Sequence, residues 1–395
     1  MKKMTVSKEI QKSYNPKNPN ADNKQGWEIK KLGEVADVGA GNSAPQDKEL
    51  FENGKFPFFR TSDVGQIRKG FIETSVDYLN EKGIKGLKLF QKGTILFPKS
   101  GASTFLNHRV MMNVDGYVSS HLATIKAKSK IADDRFLLYF LITIDAKDLM
   151  QDIAYPSLKT SDIGLIPIPL PPLPEQQRIV SILDECFAAI DKAKANAEQN
   201  LKNAKELFES YLQGVFEKKG EGWEEKRFDE VCVLQRGFDL PTHSRFEGEY
   251  PLVSSNGITD SVNQWKVKAP GVVTGRSGTI GNVHFIEEDF WPLNTALYIK
   301  DFHGNDERFI YYFLTAFDLS KYSSGAGVPT LNRNNVHIVK VSIPKSKEAQ
   351  QTIVRRLDAL RAETQKLEAV YQKKIADLEE LKKSILQKAF SGELC

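Results

Sequence analysis

The stretch Gly26-Trp27-Glu28-Ile29-Lys30-Lys31-Leu32-Gly33-Glu34-Val35 returns 196 residues later as Gly222-Trp223-Glu224-Glu225-Lys226-Arg227-Phe228-Asp229-Glu230-Val231, with six of ten positions identical. Working outward, three further blocks recur in the same order. Arg135-Phe136-Leu137-Leu138-Tyr139-Phe140-Leu141 returns as Arg308-Phe309-Ile310-Tyr311-Tyr312-Phe313-Leu314, at an offset of 173. Gln176-Gln177-Arg178-Ile179-Val180 returns as Gln350-Gln351-Thr352-Ile353-Val354, and Ser210-Tyr211-Leu212-Gln213 with Phe216 returns as Ser384-Ile385-Leu386-Gln387 with Phe390, both at an offset of 174. Ordered self-similarity of this kind marks two units of one architecture. The offset falls by 23 between the first and second blocks, so the first unit carries its surplus between Val35 and Arg135. A constant frame around a variable interior is what two readers of different targets need.

Each unit opens with short apolar runs such as Gly93-Thr94-Ile95-Leu96-Phe97 and Pro270-Gly271-Val272-Val273-Thr274. Gly, Pro, Asn and Ser break these runs, as in short strands joined by loops. Helices are predicted from Asp134 to Leu149 and from Glu307 to Leu319, with their aromatics on a core face. Each unit then ends in a long helix, from Glu175 to about Lys218 and from Lys347 to Phe390. Some 44 residues at 1.5 Å each give about 65 Å. Ile179, Ile182, Cys186, Ala189, Ala193, Ala197, Leu201, Ala204, Phe208, Tyr211 and Val215 trace one apolar stripe. Ile353, Leu357, Leu360, Leu367, Tyr371, Leu378, Leu381 and Ile385 trace the other, interrupted by Thr364 and Lys374. Spacings of three and four with charge between are a coiled-coil pattern. Helices this polar need partners, and antiparallel pairing would carry the globular parts to opposite ends of one rod. The expected fold is therefore α+β: two strand-rich mixed α/β domains separated by two long helices in an antiparallel coiled coil, with an internal pseudo-twofold repeat.

The expected boundaries are an N-terminal extension over 1–25, a first domain over 26–172 and a first spacer helix over 173–219. A second domain over 220–345 and a second spacer helix over 346–392 follow. Composition agrees with a globular chain of two or three domains, at 395 residues, 40% hydrophobic and 27% charged. No apolar run approaches the ~20 residues of a membrane span. The basic start lacks the apolar core of a secretory leader. Cys186, Cys232 and Cys395 are odd in number and far apart, which points to reduced thiols and a cytoplasmic protein. Net charge is +4, and residues 1–25 hold six lysines against Glu9 and Asp22, so the tail supplies the whole excess. That tail, rich in Asn, Pro and Lys, is expected to be disordered.

Two signatures carry a family resemblance. Leu170-Pro171-Pro172-Leu173-Pro174-Glu175-Gln176-Gln177-Arg178-Ile179-Val180 resembles the opening of the first conserved helical region of type I restriction–modification specificity subunits. Leu386-Gln387-Lys388-Ala389-Phe390-Ser391-Gly392-Glu393-Leu394 resembles their usual end. The likeness spans about Gly26–Leu394. The start of the second helix departs from it: Ile343-Pro344-Lys345-Ser346-Lys347-Glu348-Ala349-Gln350 keeps one proline and has an added residue. The resemblance implies two target recognition domains, each reading one half of a split double-stranded DNA site. It also implies helices that dock two methyltransferase subunits, and restriction subunits in the full complex. It implies no catalytic residue and no cofactor in this chain.

Local charge supports the DNA reading. Lys82–Val114 contains Lys82, Lys85, Lys88, Lys92, Lys99 and Arg109 with no acid, and Ser261–Ile286 and Leu319–Lys347 are likewise acid-free. Such stretches suit a phosphate-facing surface. Pro98-Lys99-Ser100-Gly101 aligns with Gly275-Arg276-Ser277-Gly278, each a Gly/Ser loop with one cation after a strand. Backbone N–H groups plus Lys or Arg suit phosphate, and Arg can grip a guanine edge. The candidate DNA-binding residues are Arg60, Ser62, Lys99, Ser100, Arg109, Ser255, Asn256, Lys266, Arg276, Ser277, Asn332 and Arg333. Candidates for partner docking are Gln176, Gln177, Ile179, Gln350, Gln351 and Ile353.

Enzymatic motifs are missing. No G-x-x-x-x-G-K-[ST] occurs, no Asn/Asp-Pro-Pro-aromatic run and no Cys-x-x-Cys, and the six histidines lack metal spacing. Glu28-Ile29-Lys30 has the look of a nuclease Glu-x-Lys, but its copy Glu224-Glu225-Lys226 sits in the same frame segment, which gives it a shared structural role. A coiled-coil scaffold with two protein- or ligand-binding domains is the alternative, and it predicts no salt-sensitive DNA binding. If the helices set the spacer, inserting four residues, about 6 Å, into both should lengthen the unread stretch of the methylated motif. Methylome sequencing that returns the original spacer would rule this out.

Overall fold

The computed structural model describes residues 26–150, 156–325 and 327–394. The expected disorder of residues 1–25 lies outside them. The chain divides into two compact units, residues 1–195 with 375–395 and residues 196–374. Each unit thus holds a globular part and a stretch of both long helices.

In the first unit the strands are β1 (Glu28–Lys31), β2 (Ala36–Ala40), β3 (Phe56–Phe59), β4 (Lys69–Ile72) and β5 (Asp77–Leu79). They continue with β6 (Ile95–Pro98), β7 (Arg109–Met112), β8 (Tyr117–Val118), β9 (Leu122–Ala127) and β10 (Pro167–Leu170). The helices are α1 (Leu32–Val35), α2 (Thr61–Ile67), α3 (Asp134–Ile142), α4 (Thr160–Ile163) and the long α5 (Leu173–Glu217), which runs on into the second unit. A five-stranded sheet β2-β9-β6-β7-β4 lies with a three-stranded sheet β5-β3-β8 and the frame pair β1-β10.

The second unit repeats this plan. Its strands are β11 (Trp223–Arg227), β12 (Val233–Arg236), β13 (Tyr250–Ser254), β14 (Gly257–Val262), β15 (Gly271–Gly275) and β16 (Val283–Ile286). Then come β17 (Trp291–Pro292), β18 (Ala296–Asp301), β19 (Ser323–Ser324), β20 (Thr330–Leu331) and β21 (Lys340–Pro344). Its helices are α6 (Phe228–Val231), α7 (Glu307–Ala316), α8 (Arg333–His337) and the long α9 (Lys347–Phe390), whose last turns belong to the first unit. The sheets are β12-β18-β15-β16, β14-β13-β17, the small pair β19-β20 and the frame pair β11-β21. Among the described residues its main sheet has one strand fewer than that of the first unit. β4, part of the 23-residue surplus, pairs parallel with β7 from Lys69↔Arg109 to Ile72↔Met112. The equivalent strand β16 is left at the sheet edge.

The repeated blocks are the points where helix and globular part are joined. Asp133 caps α3 by accepting from the N–H groups of Arg135 and Phe136. Asp306 caps α7 in the same way. Both caps rest on a buried glutamine from the start of a long helix. Gln176 Oε1 accepts from Asp133 N at 2.9 Å, and its Nε2 donates to the carbonyls of Ile131 and Pro171 at 3.0 and 2.8 Å. Gln350 Oε1 accepts from Asp306 N at 2.9 Å, and its Nε2 donates to Asn305 Oδ1 at 2.7 Å and Pro344 O at 3.2 Å. About two helical turns farther along, Asp184 accepts from Arg135 and the Tyr139 hydroxyl, both at 2.5 Å. Asp358 accepts from Arg308 at 2.9 Å and the Tyr312 hydroxyl at 2.5 Å. Burial and the carboxylate hold the Tyr139 phenol up at about 12, and Tyr312 is raised for the same reasons.

The end of the other long helix completes each grip. Phe390 meets Phe136 and Phe140 edge-on at 5.2 and 5.4 Å. Its counterpart Phe216 meets Phe309 and Phe313 at 5.6 and 5.9 Å. Each such ring pair contributes about 0.5–1.5 kcal/mol beyond its burial. Within each unit the two helices run antiparallel. In the first, Asp191 pairs with Lys382 at 2.8 Å and Lys194 with Glu379 at 2.5 Å, so rising numbers meet falling ones. In the second, Arg361 lies over Phe208, while Leu212, farther along α5, packs in one cluster with Leu357 and Val354.

Three expectations are corrected. The helices after Asp134 and Glu307 stop at Ile142 and Ala316, and each is followed by a separate 3-10 turn capped by Asp145 or Asp318. An aspartate that bonds its own downstream N–H competes with the helix. The apolar stripes are also shifted: Leu183, Phe187 and Ile190 are buried where Ile182, Cys186 and Ala189 were expected, because the first turns pack on the globular part as well as on a helix. Leu367, Leu381 and Tyr211 are 42%, 47% and 42% exposed, whereas Thr364 is buried with its hydroxyl donating to Leu360 O and Arg361 O. Among the described residues no helix is long and apolar enough to cross a membrane.

Replacing Gln176 by the similarly sized Met should strand one buried N–H and leave two carbonyls unpaired, costing roughly 2–5 kcal/mol. Chemical denaturation checks this, and a loss below about 1 kcal/mol would show that the glutamine is dispensable.

Candidate nucleic-acid interface

Loops at one end of the strands converge in each unit, and the two units build this convergence with the same hydrogen bonds. Lys99 N donates to His121 O at 3.0 Å, Gly101 N to Pro156 O at 2.9 Å, and Leu158 N to Lys99 O at 2.7 Å. In the second unit Arg276 N donates to Thr295 O at 2.9 Å, Gly278 N to Pro329 O at 3.1 Å, and Leu331 N to Arg276 O at 2.8 Å. Ser100 bridges Ser157 as Ser277 bridges Thr330. The cationic loops Lys99-Ser100-Gly101 and Arg276-Ser277-Gly278 are thus one structural position occupied twice. Each is braced by a Pro-Ser-Leu or Pro-Thr-Leu segment, 156–158 or 329–331.

Close backbone approach fixes the neighbouring loop. A Cβ on Gly41 would lie 2.2 Å from Ser119 O, and one on Gly237 would lie 2.2 Å from Leu293 O. Only glycine allows this contact. It seats Ser119-Ser120-His121 and Leu293-Asn294-Thr295 beside the cationic loops. Ser100 Oγ and His121 Nδ1 are 2.8 Å apart, and Arg276 Nη1 donates to Asn294 O at 3.2 Å. Neither Lys99 nor Arg276 makes an ion pair among the described residues, so both cations remain available to an anion.

The other predicted residues fall into distinct places. Ser62 is exposed in the first turn of α2, just after β3. Arg60 is half-buried, ion-paired with Asp77 and set over the rings of Phe51 and Phe58. Ser255 is 9% exposed and packs beside Gly275, while Asn256 is exposed. Lys266 stands apart, 5.0 Å over the Trp291 ring. Asn332 uses its Oδ1 to cap α8 by accepting from Asn334 N, and Arg333 donates to Leu234 O at 3.3 Å.

Arg109 is a correction. β7 is flanked by both β6 and β4, and the Arg109 side chain is fully buried, 3.3 Å from the Phe97 ring centroid. Burial pulls its guanidinium down to about 9, against the pull of Asp145. A group with no exposure cannot meet a phosphate. Among the proposed docking residues, Gln176, Gln350 and Ile179 are likewise buried in their own units. Gln177 and Gln351 are exposed, and Ile353 is half-buried.

Sequence reasoning missed Ser120, His121, Asn294 and Thr295, which sit at the centre of the convergence. The segments Pro156-Ser157-Leu158 and Pro329-Thr330-Leu331 carried a usable signal, since they repeat at the same offset of 173. Among the described residues no three His, Cys, Asp or Glu side chains could hold a metal together.

Two units built on one frame, each presenting a cationic loop at the same position, are the class these features define. The description "Type I restriction modification DNA specificity domain" matches residues 24–202 and 220–377. The chain belongs to this family of type I restriction–modification specificity subunits. It is 33% identical to the type I restriction enzyme MjaIX specificity subunit of Methanocaldococcus jannaschii over 171 residues, 42% of this chain and 39% of that one. It is 25% identical to the EcoprrI specificity subunit of Escherichia coli over 318 residues, 75% of this chain and 78% of that one. A solved chain from work on complex assembly and conformational transition of the type I R-M system superposes with a TM-score of 0.79 at 20% identity, covering 94% of this chain and 99% of that one. The HsdS subunit from Thermoanaerobacter tengcongensis gives a TM-score of 0.59 at 22% identity, covering 93% and 97%.

Arg276→Ala is expected to weaken or relax reading of one half-site by roughly 1–3 kcal/mol. Arg109→Met should leave DNA affinity unchanged and alter only stability. Titration of both variants with duplex DNA checks the pair, and equal losses would contradict the assignment.

Proposed function

We propose that each unit of this specificity subunit reads one half of a bipartite duplex site through its cationic loop. The loop's neighbours 119–121 or 293–295 complete each reading face. The observation that carries this reading is the doubled loop itself. One position, held by the same backbone bonds, presents Lys99 in one unit and Arg276 in the other. A shared mount with different tips suits two readers of unlike half-sites. Phosphate contact supplies affinity, and base-edge contact supplies the sequence choice. Ser62, Ser100, Asn256 and Ser277 are further candidates for contact, with Arg60, Ser255, Lys266, Asn332 and Arg333 as supports.

The chain itself carries no catalysis. Methyltransferase subunits would be placed at the site by docking on the long helices, two copies being the number a doubled frame accommodates, with restriction subunits joining them. Exposed Gln177 and Gln351, and the exposed apolar side chains Leu207, Tyr211, Leu367, Val370 and Leu381, suit that docking. We place the assembly in the cytoplasm, where its DNA is.

Replacing 26–170 with the first domain of another family member should change one half of the methylated motif and leave the other half and the spacer alone. Methylome sequencing reads the outcome, and a change in both halves would refute independent reading. Salt-insensitive binding of the complex to duplex DNA would favour a scaffold instead.

A further inference from the structure

At one aligned position the two reading faces differ by a carboxylate. In the second unit Asp239 accepts from the Asn294 side-chain amide, and Arg236 donates to both of its oxygens at 3.2 Å. Asn294 is also the residue whose carbonyl accepts from Arg276. One asparagine therefore anchors an acid and a base side by side. In the first unit the frame offset of 196, fixed by Gly41 and Gly237, puts Ser43 where the second has Asp239. Lys99 and Ser120 complete the first unit's set, with no acid among the three.

Stability does not explain Asp239. Its side chain is 62% exposed and its partner Arg236 is 49% exposed, and such exposed pairs contribute little. Beside phosphates a carboxylate is repelled, so its presence on this face calls for a donor. Base edges supply one: cytosine presents an amino group at N4 in the major groove, and its guanine partner presents O6 and N7 as acceptors. Arg276 matches the acceptors and Asp239 matches the donor.

Resting on the reading above, we propose that Asp239 is a specificity-determining residue of the second unit. Its carboxylate accepts from a cytosine amino group, while Arg276 donates to guanine, so that the second half-site contains a G·C pair read from both edges. The first unit, lacking the acid, reads no cytosine in this way. Asn294 is the positioning residue that holds the two groups in register.

The test uses the full chain assembled with its methyltransferase subunits, with host genomic DNA sequenced for methylation and synthetic duplexes for affinity. Asp239→Asn should leave the first half of the motif intact and make one C·G position of the second half degenerate. Discrimination against the duplex changed at that position should fall about 5- to 150-fold, the range of one good base contact. Affinity for mixed-sequence duplex should rise, because an anion has left the face. A merely structural carboxylate predicts the opposite: weaker binding to all duplexes with the motif unchanged, and that result overturns the proposal. Asn294→Ser, which copies Ser120, should relax the same position even if the Asp239 variant folds poorly, and an unrelaxed motif there also overturns it. Failure of the wild-type complex to read a bipartite site would instead sink the underlying reading.

Discussion

A buried glutamine amide holds each unit together. Gln176 and Gln350 each join the first turn of a long helix and the segment just before it to the capped start of the domain's aromatic helix, more than 40 residues earlier in sequence. A primary amide can accept and donate at once, so it satisfies backbone groups of both signs in a dry place. The cost of leaving those groups unpaired makes the geometry unique. The Arg–Tyr–Asp cluster about two turns on and the inserted phenylalanine of the returning helix then fix the tilt of the globular part. All the variable loops hang from these anchors.

This arrangement separates two tasks. The anchors occupy the blocks that recur almost unchanged, whereas the cationic loops and the segments 119–121 and 293–295 lie in the interval whose length differs between units. Orientation of a reading face is thus set by residues that never touch the target. Side chains on that face are free to differ, as Lys99 and Arg276 do, and as Ser43 and Asp239 do, without disturbing the frame.

Much of the fold was legible because its constraints are local or repeated. Block identity gave the doubling, and three-four spacing gave the long helices. The α9 limits, Lys347 and Phe390, match the span read from that spacing and from the glycine that follows it. The phase of the stripes was not legible, since each long helix is buried by two kinds of neighbour and a period cannot tell which face meets which. Acid-free charge was a weak guide to the interface. Arg109 belongs to such a run, yet it lies in a strand that β4 turned from edge to interior. No pattern in the run announces that neighbour. The cationic loop was legible because Gly and Ser mark a turn after a buried strand. The segments 119–121 and 293–295 were not, because plain polar residues in a connection carry no periodic signal.

The strand that one unit has and the other lacks bears on how the halves behave outside their assembly. β7 is sealed by β4, but β16 ends its sheet with the short apolar run Val283-His284-Phe285-Ile286, followed at once by Glu287, Glu288 and Asp289. Unsealed edges recruit foreign chains, and acids close by are a usual deterrent. Of the two units, the second is the one whose main sheet leaves this edge open. Three carboxylates therefore stand guard where a second chain would first add a strand.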